Sequence, residues 1–408
     1  MVGSYSVFST PGKIIYGRGC FTRVGPEAAM LGKKALIISD KIMEGLGNLE
    51  RCVHHLQKAN VQAVLYTGVH SEPTDEYVIE ALLLFRQSGC DLIISLGGGS
   101  CIDTAKAVAV LATNGGYIGD YKGGSKYASQ KSIPHIALST TAGTGAEATD
   151  VTVIINQATD EKMMIKQPAF MPQVAIVDSD LTVSSPKAVT AATGIDALTH
   201  AIEAYLSRKA HALTDTLARS AMQLIIYHIR RAYHNGNDLE ARDQMSLGSL
   251  QAGMAFTNAS VGLVHGMSRP IGALFHVPHG ISNAMLLPAV LEFSSSHCTK
   301  RLADLGRVFN PNIQWTSDAE AAVYAITQTR ELCRDLDIPN LKSYGIDQQQ
   351  FETALDKMSS DALKSGSPAN NPRVPAQEEI IDLYRVCYKY DFSDAVDIIL
   401  PGRHSTTV

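Results

Sequence analysis

The chain has 408 residues, 45% of them hydrophobic and 18% charged, with a formal net charge of −5. That length exceeds one ordinary core and is expected to divide into two domains of roughly 150–220 residues with room for a cleft between them. The composition is that of a soluble globular protein, and the small negative charge leaves no footprint for nucleic acid or an anionic membrane, so small molecules are the expected partners.

The opening MVGSYSVFSTPGK lacks the basic-then-apolar pattern of a signal peptide, and no apolar run approaches the roughly 18–20 residues that span a bilayer. The expected location is the cytoplasm. Seven cysteines, at positions 20, 52, 90, 101, 298, 333 and 387, form no CxxC pair and fit reduced thiols better than a disulfide framework. Cys101, beside a glycine cluster, is expected to be a small apolar filler.

Up to about residue 180, short β-branched runs alternate with helical stretches: Ala35-LIIS-Asp40, Val61-QAVLYT-Gly68, Asp91-LIIS-Leu96, His135-IAL-Ser139 and Val174-AIV-Asp178. That rhythm predicts βαβ units and a mostly parallel sheet covered on both faces. Asp40 ends the first of these runs, where a carboxylate can accept hydrogen bonds from an adenosine ribose and repel a 2′-phosphate; capping the next helix is the other reading. Leu96-GGGSCID-Thr104 follows a strand and is expected to open a helix at Thr104, which suits a pyrophosphate at a helix N-terminus, although a glycine run can also be only a tight turn. Ser139-TTAGTGAEATD offers hydroxyls and free amides after another strand, and two such loops on one sheet strengthen the nucleotide reading.

After Pro186 the strands stop. Ala188 to Ser207, Ala212 to Tyr233 and Ala319 to Asp335 carry apolar residues at helical spacing. No internal repeat, low-complexity tract or long linker is visible, so the expected division is an α/β domain over 1–185 and a helical domain over 186–408. Asp196 and His200 lie four apart and share a helical face; singly they would be a capping acid and a stray histidine. With His265 and His279 they make one carboxylate and three imidazoles, a set that suits a divalent transition metal.

These motifs, Gly97-GGSCID, Ser139-TTAGTGAE, Ala192-TGIDALTHAIEAY, Gly262-LVHGM, Pro278-HG and Asn371-PR, resemble the iron-dependent, group III alcohol dehydrogenases over essentially the whole chain. The resemblance implies an N-terminal dinucleotide-binding α/β domain and an all-helical C-terminal domain, an architecture shared with dehydroquinate synthases. It also implies Fe²⁺, with Zn²⁺ as the alternative, on Asp196, His200, His265 and His279, and NAD on Asp40, Gly97, Gly98, Gly99, Ser100, Asp103, Thr140, Thr141, Thr144 and Lys162. Lys162 rests on an alignment across a loop of variable length, and a surface lysine is its other reading. The implied activity is interconversion of a small alcohol and its aldehyde with NAD(H), by a cytoplasmic homodimer.

One position departs from the family. Where it often has a second histidine, four residues after the third ligand, this chain has Arg269. Arginine stays charged at neutral pH and cannot shuttle protons, so His276 becomes a candidate catalytic residue, with a packed turn histidine as the alternative. Arg269 itself can bind a substrate carboxylate, sulfonate or phosphonate, unless a local carboxylate or the cofactor pyrophosphate neutralises it. A dehydrogenase for neutral short-chain alcohols or diols, a lyase of the dehydroquinate synthase kind and a non-catalytic binding protein are the alternative functions.

Overall fold

The computed structural model describes residues 5–393. The outer ends of the two expected domains, 1–4 and 394–408, lie outside the described residues.

The first half is built as β1 (Lys13–Tyr16), α1 (Val24–Leu31), β2 (Lys34–Ile38), α2 (Lys41–Gly45), α3 (Asn48–Lys58), β3 (Gln62–Tyr66), α4 (Asp75–Gln87), β4 (Leu92–Gly97), α5 (Gly99–Asn114), β5 (His135–Ser139), β6 (Val151–Asn156), β7 (Glu161–Lys166) and β8 (Val174–Val177). Six strands form one parallel sheet in the order β1-β8-β5-β4-β2-β3. Alternate side chains of one strand serve opposite faces: Leu36 and Ile38 pack with Val78 and Phe85 of α4, while Ala35 and Ile37 pack with Ala28 of α1 and Leu56 of α3. Burying a Leu or Ile side chain this fully contributes about 1.5–3 kcal/mol.

All five expected strands are present. Two features were not foreseen. β1 is a four-residue edge strand, KIIY, with both ends exposed. β6 and β7 form a separate antiparallel hairpin, and the EKMMIK of β7 lacks a β-branched run. Helix α5 begins at Gly99, not at Thr104, so Ser100 and Asp103 lie in its first turns.

The second half is helical: α6 (Lys187–Leu206), α7 (Ala212–His234), α8 (Leu239–Ala259), α9 (Leu263–Phe275), α10 (His279–Phe309), α11 (Asp318–Asp335), α12 (Leu341–Tyr344), α13 (Gln348–Lys364) and α14 (Gln377–Tyr388). One apolar cluster joins them, from Ile195 and Leu198 of α6 to Tyr384 of α14. No helix among the described residues is long and apolar enough to cross a membrane.

β2 leads outward to β3, whereas β4 leads the other way to β5, so the connections reverse between β2 and β4. In open parallel sheets a ligand crevice lies beyond the carboxyl ends of the strands at that reversal. Asp40 follows β2 and Gly97 ends β4, which puts both at its mouth.

Candidate functional site

Gly97 and Gly99 are glycines because of close approach. A Cβ on Gly97 would stand 2.6 Å from Cys101 Sγ, and one on Gly99 would stand 2.8 Å from Thr144 Cγ2. The two glycine-bearing loops therefore touch, and Thr140 N donates to Gly97 O at 3.0 Å. No side chain caps the N-terminus of α5, which leaves its first amides to a ligand. Asp40, Gly98, Ser100, Thr140 and Thr141 line one part of the cleft; Gly99, Ser100, Asp103, Thr144 and Lys162 line the part that reaches the helical half.

Asp40 does cap α2, accepting from Met43 N at 2.8 Å, while also lining the cleft, so its two readings are compatible. Asp103 accepts from Val153 N at 2.9 Å through Oδ2, while its buried Oδ1 has no hydrogen bond among the described residues and stands 3.6 Å from Lys106 Nζ; burial raises this carboxyl above its ordinary value, against the pull of Lys106. Lys162 is not a surface lysine. Its side chain is 5% exposed and pairs with Glu72, whose carboxylate also accepts from His279 N.

The helical half brings Asp196 and His200 from α6, His265 from the first turn of α9 and His279 from the start of α10 to one point. One atom from each can be chosen so that all four lie within 4.8 Å of one another. Asp196 Oδ1 stands 3.6 Å from His265 Nε2, 3.9 Å from His279 Nε2 and 4.0 Å from His200 Nδ1. Burial alone would raise the Asp196 carboxyl, but the three imidazoles hold it well below the ordinary range. Burial pushes His200 down to about 4 and His279 far below its ordinary value, so both are neutral lone-pair donors at pH 7. His200 Nδ1 is buried beside the carboxylate without a hydrogen-bond partner among the described residues. A carboxylate and neutral imidazoles with such an orphaned nitrogen fit a divalent transition metal.

Two residues that complete this cluster were missed. Glu203 shares the α6 face with Asp196 and His200; it accepts from Val264 N and from His265 Nδ1, each at 2.6 Å. An ionised carboxylate only accepts, so the His265 proton sits on Nδ1 and Nε2 faces the cluster. Burial would depress His265, but Glu203 and Asp196 overcome it and hold it above its ordinary value. The seven-residue spacing from Asp196 to Glu203 was a usable signal. Asn283, one turn after His279 and fully buried, donates from Nδ2 to Asp196 Oδ1 at 2.6 Å.

Arg269 lies one turn after His265 and is buried in the wall of the same cleft. Nη1 donates to Ser367 Oγ at 2.8 Å and Nη2 to the soft sulfur of Met164 at 3.2 Å. No carboxylate among the described residues lies within ion-pair distance, whereas the neighbouring Lys162 and Lys166 are paired with Glu72 and Asp150. Burial holds Arg269 down to about 10, against the field of Glu203, and it remains charged at neutral pH.

The structure does not bring His276 to the cleft. The chain leaves α9 there in the left-handed conformation, φ 53°, and the side chain goes to solvent, outside the residues that line the cleft.

Residues 11–179 match the family model for iron-containing alcohol dehydrogenase, and residues 190–388 match that for the Fe-containing alcohol dehydrogenase family, C-terminal. The 1,3-propanediol dehydrogenase of Klebsiella pneumoniae is 36% identical over 94% of this chain and 100% of its own. The NAD-dependent methanol dehydrogenase of Bacillus methanolicus is 35% identical over 93% and 98%. Among solved structures, the sulfoacetaldehyde reductase of Bifidobacterium kashiwanohense in complex with NAD+ superposes with a TM-score of 0.84 at 27% identity, over 95% of this chain and 100% of that one. Both halves of the chain, with their glycine-bearing loops and carboxylate-imidazole cluster, thus belong to the iron-containing alcohol dehydrogenase family of oxidoreductases.

Proposed function

We propose that the protein is a metal-dependent, NAD-linked oxidoreductase that interconverts a small alcohol and its aldehyde, the substrate carrying a carboxylate, sulfonate or phosphonate that Arg269 binds. The observation that carries the anionic part is a buried guanidinium in the cleft wall with no ion-pair partner among the described residues. A buried charge is stable only when paired, and a substrate anion supplies the pair.

Asp196, His200, His265 and His279 would hold Fe²⁺, or Zn²⁺ in its place. Such an ion supplies Lewis acidity, easing loss of the alcohol proton and polarising the aldehyde oxygen. Glu203 orients His265, and Asn283 holds the Asp196 carboxylate. The N-terminus of α5 and the Gly97–Gly99 turn would take the cofactor pyrophosphate, with Asp40 at the adenosine end of the cleft. Phe256 and Val261 give the reacting end apolar walls that exclude water. Arg269 stays protonated, so the reaction proton leaves by another route; Lys162, 5% exposed, and its partner Glu72, 31% exposed, lead from the cleft to its rim.

The division near residue 185 and a cytoplasmic homodimer complete the reading; seven unpaired cysteines support the reducing location. The methanol and propanediol relatives leave a neutral substrate as the second reading. A screen of metal-reconstituted protein against neutral alcohols, ω-hydroxy acids and sulfonated analogues, followed by absorbance of the reduced cofactor, separates the two. Anionic substrates should give the highest kcat/KM; a preference for the neutral alcohols would remove the anion from the proposal.

A further inference from the structure

The turn from α8 to α9 holds a residue in a conformation that its side chain does not favour. Ser260 has φ 67° and ψ 164°. Positive φ with an extended ψ is essentially glycine territory, because a Cβ there crowds the backbone. Three of the other positive-φ residues that are not glycine, Asn60, Asp160 and Asp337, are of the types that tolerate such angles, and His276 has the ordinary left-handed ψ of 30°. A serine where glycine would be unstrained needs its side chain for something.

Ser260 lines the cleft together with His200, His265 and Arg269. Its Oγ accepts from Asn370 Nδ2 at 3.0 Å, and the same amide nitrogen lies 3.2 Å from Val261 O. The hydroxyl is thereby fixed as an acceptor on one side, and its hydrogen has no acceptor among the described residues. Its O–H is therefore free to donate into the cleft, which suits an acceptor-rich partner. Arg269, in the same cleft and without an ion-pair partner among the described residues, has the same need.

We propose that Ser260 is a specificity-determining residue, its hydroxyl donating a hydrogen bond to an oxygen of the substrate anion and its backbone strain being retained for that contact. This rests on the anionic-substrate reading above. Two variants separate the roles. Ser260→Gly removes both hydroxyl and strain; Ser260→Ala removes the hydroxyl and keeps the strain. Measured on the metal-loaded protein, Ser260→Gly should raise Tm by about 2–5 °C, while Ser260→Ala should not raise it. In both variants the ratio of kcat/KM for an ω-hydroxy acid to that for the neutral alkanol of equal length should fall about 10- to 100-fold. An unchanged ratio, an equal loss on both substrates or a lower Tm for Ser260→Gly overturns the proposal. If the unmodified enzyme already fails to prefer the anionic substrate, the anion reading fails with it; a preference that survives both substitutions defeats the Ser260 inference alone.

Discussion

Arg269→Ala is the perturbation whose outcome depends most on how the guanidinium is seated in the cleft wall. The guanidinium makes one full hydrogen bond, to Ser367 Oγ at 2.8 Å, and a weak one to Met164 Sδ. Among the described residues it has no carboxylate within ion-pair distance, so truncation strands no buried counter-charge there and leaves only the Ser367 hydroxyl and a void. Fold stability should therefore shift modestly, as loss of packing is offset by relief of a desolvated charge. Binding is another matter. Hydrogen bonds to charged groups contribute about 1.5–3 kcal/mol, so kcat/KM for an ω-hydroxy acid or hydroxysulfonate should fall about 10- to 150-fold. Arg269→Lys keeps the charge and loses the planar fork, and should fall between the two. The assay is steady-state turnover of paired substrates of equal chain length, one anionic and one neutral, with Tm measured alongside. An equal loss on both substrates would mean that Arg269 supports the fold or the cofactor, and the reasoning would be refuted.

Asp40 should set the cofactor preference: a 2′-phosphate about 4 Å away would meet a repulsion on the order of 4 kcal/mol at an effective dielectric near 20, lessened by solvent, so Asp40→Gly should narrow the NAD over NADP ratio of kcat/KM markedly, and equal use of both by the unmodified protein contradicts its role. Both Glu203 oxygens accept hydrogen bonds, so Glu203→Gln turns an amide donor against either Val264 N or His265 Nδ1; metal affinity in a chelator competition should drop about 10- to 100-fold, and an unchanged affinity denies Glu203 its orienting role. His135, fully buried in β5 with Nε2 2.8 Å from Ser95 Oγ, is held down to about 3 by burial. Its folded value lies below the unfolded value of about 6.5, so the unfolded chain takes up the proton first and stability is lost as pH falls from 6.5 towards 3. The unfolding free energy from urea titrations should therefore fall between pH 7 and pH 5, by up to about 2 kcal/mol from this group; an increase would contradict the burial of a neutral imidazole.

Much of the sheet could be read from sequence because its central strands are buried on both faces and must be continuous β-branched runs. β1 escaped because an edge strand of four residues needs no such run, and β7 because methionines and flanking lysines carry no alternation signal. The start of α5 was misplaced for a reason tied to its use: three glycines read as loop, yet Gly99 already belongs to the helix, whose uncapped amides are left for a ligand. Asp196 and His200 showed themselves through four-residue spacing, and His265 and His279 by completing a set of one carboxylate and three imidazoles in a helical domain, a set the family resemblance then marked as metal ligands. Glu203, seven residues after Asp196 and three after His200 on the same helical face, was accessible by the same periodicity and was overlooked. The contacts of Ser367 with Arg269 and of Asn370 with Ser260 join residues 98 and 110 positions apart and leave no local pattern to read. His276 was a candidate only because Arg269 cannot shuttle protons, and nothing local showed that the chain would leave α9 there in the left-handed conformation with the residue exposed.

The most direct measurement is turnover of NAD with an ω-hydroxy acid by chelated protein, before and after Fe²⁺ is restored, with metal content determined on the same samples and His265→Ala treated alongside. Protein shown to be metal-free should be inactive, Fe²⁺ should restore activity in proportion to ion bound, and His265→Ala should neither hold the ion nor regain activity. Turnover at the original rate without metal, or metal and activity both retained in His265→Ala, would contradict the assignment of Asp196, His200, His265 and His279 as the catalytic metal site.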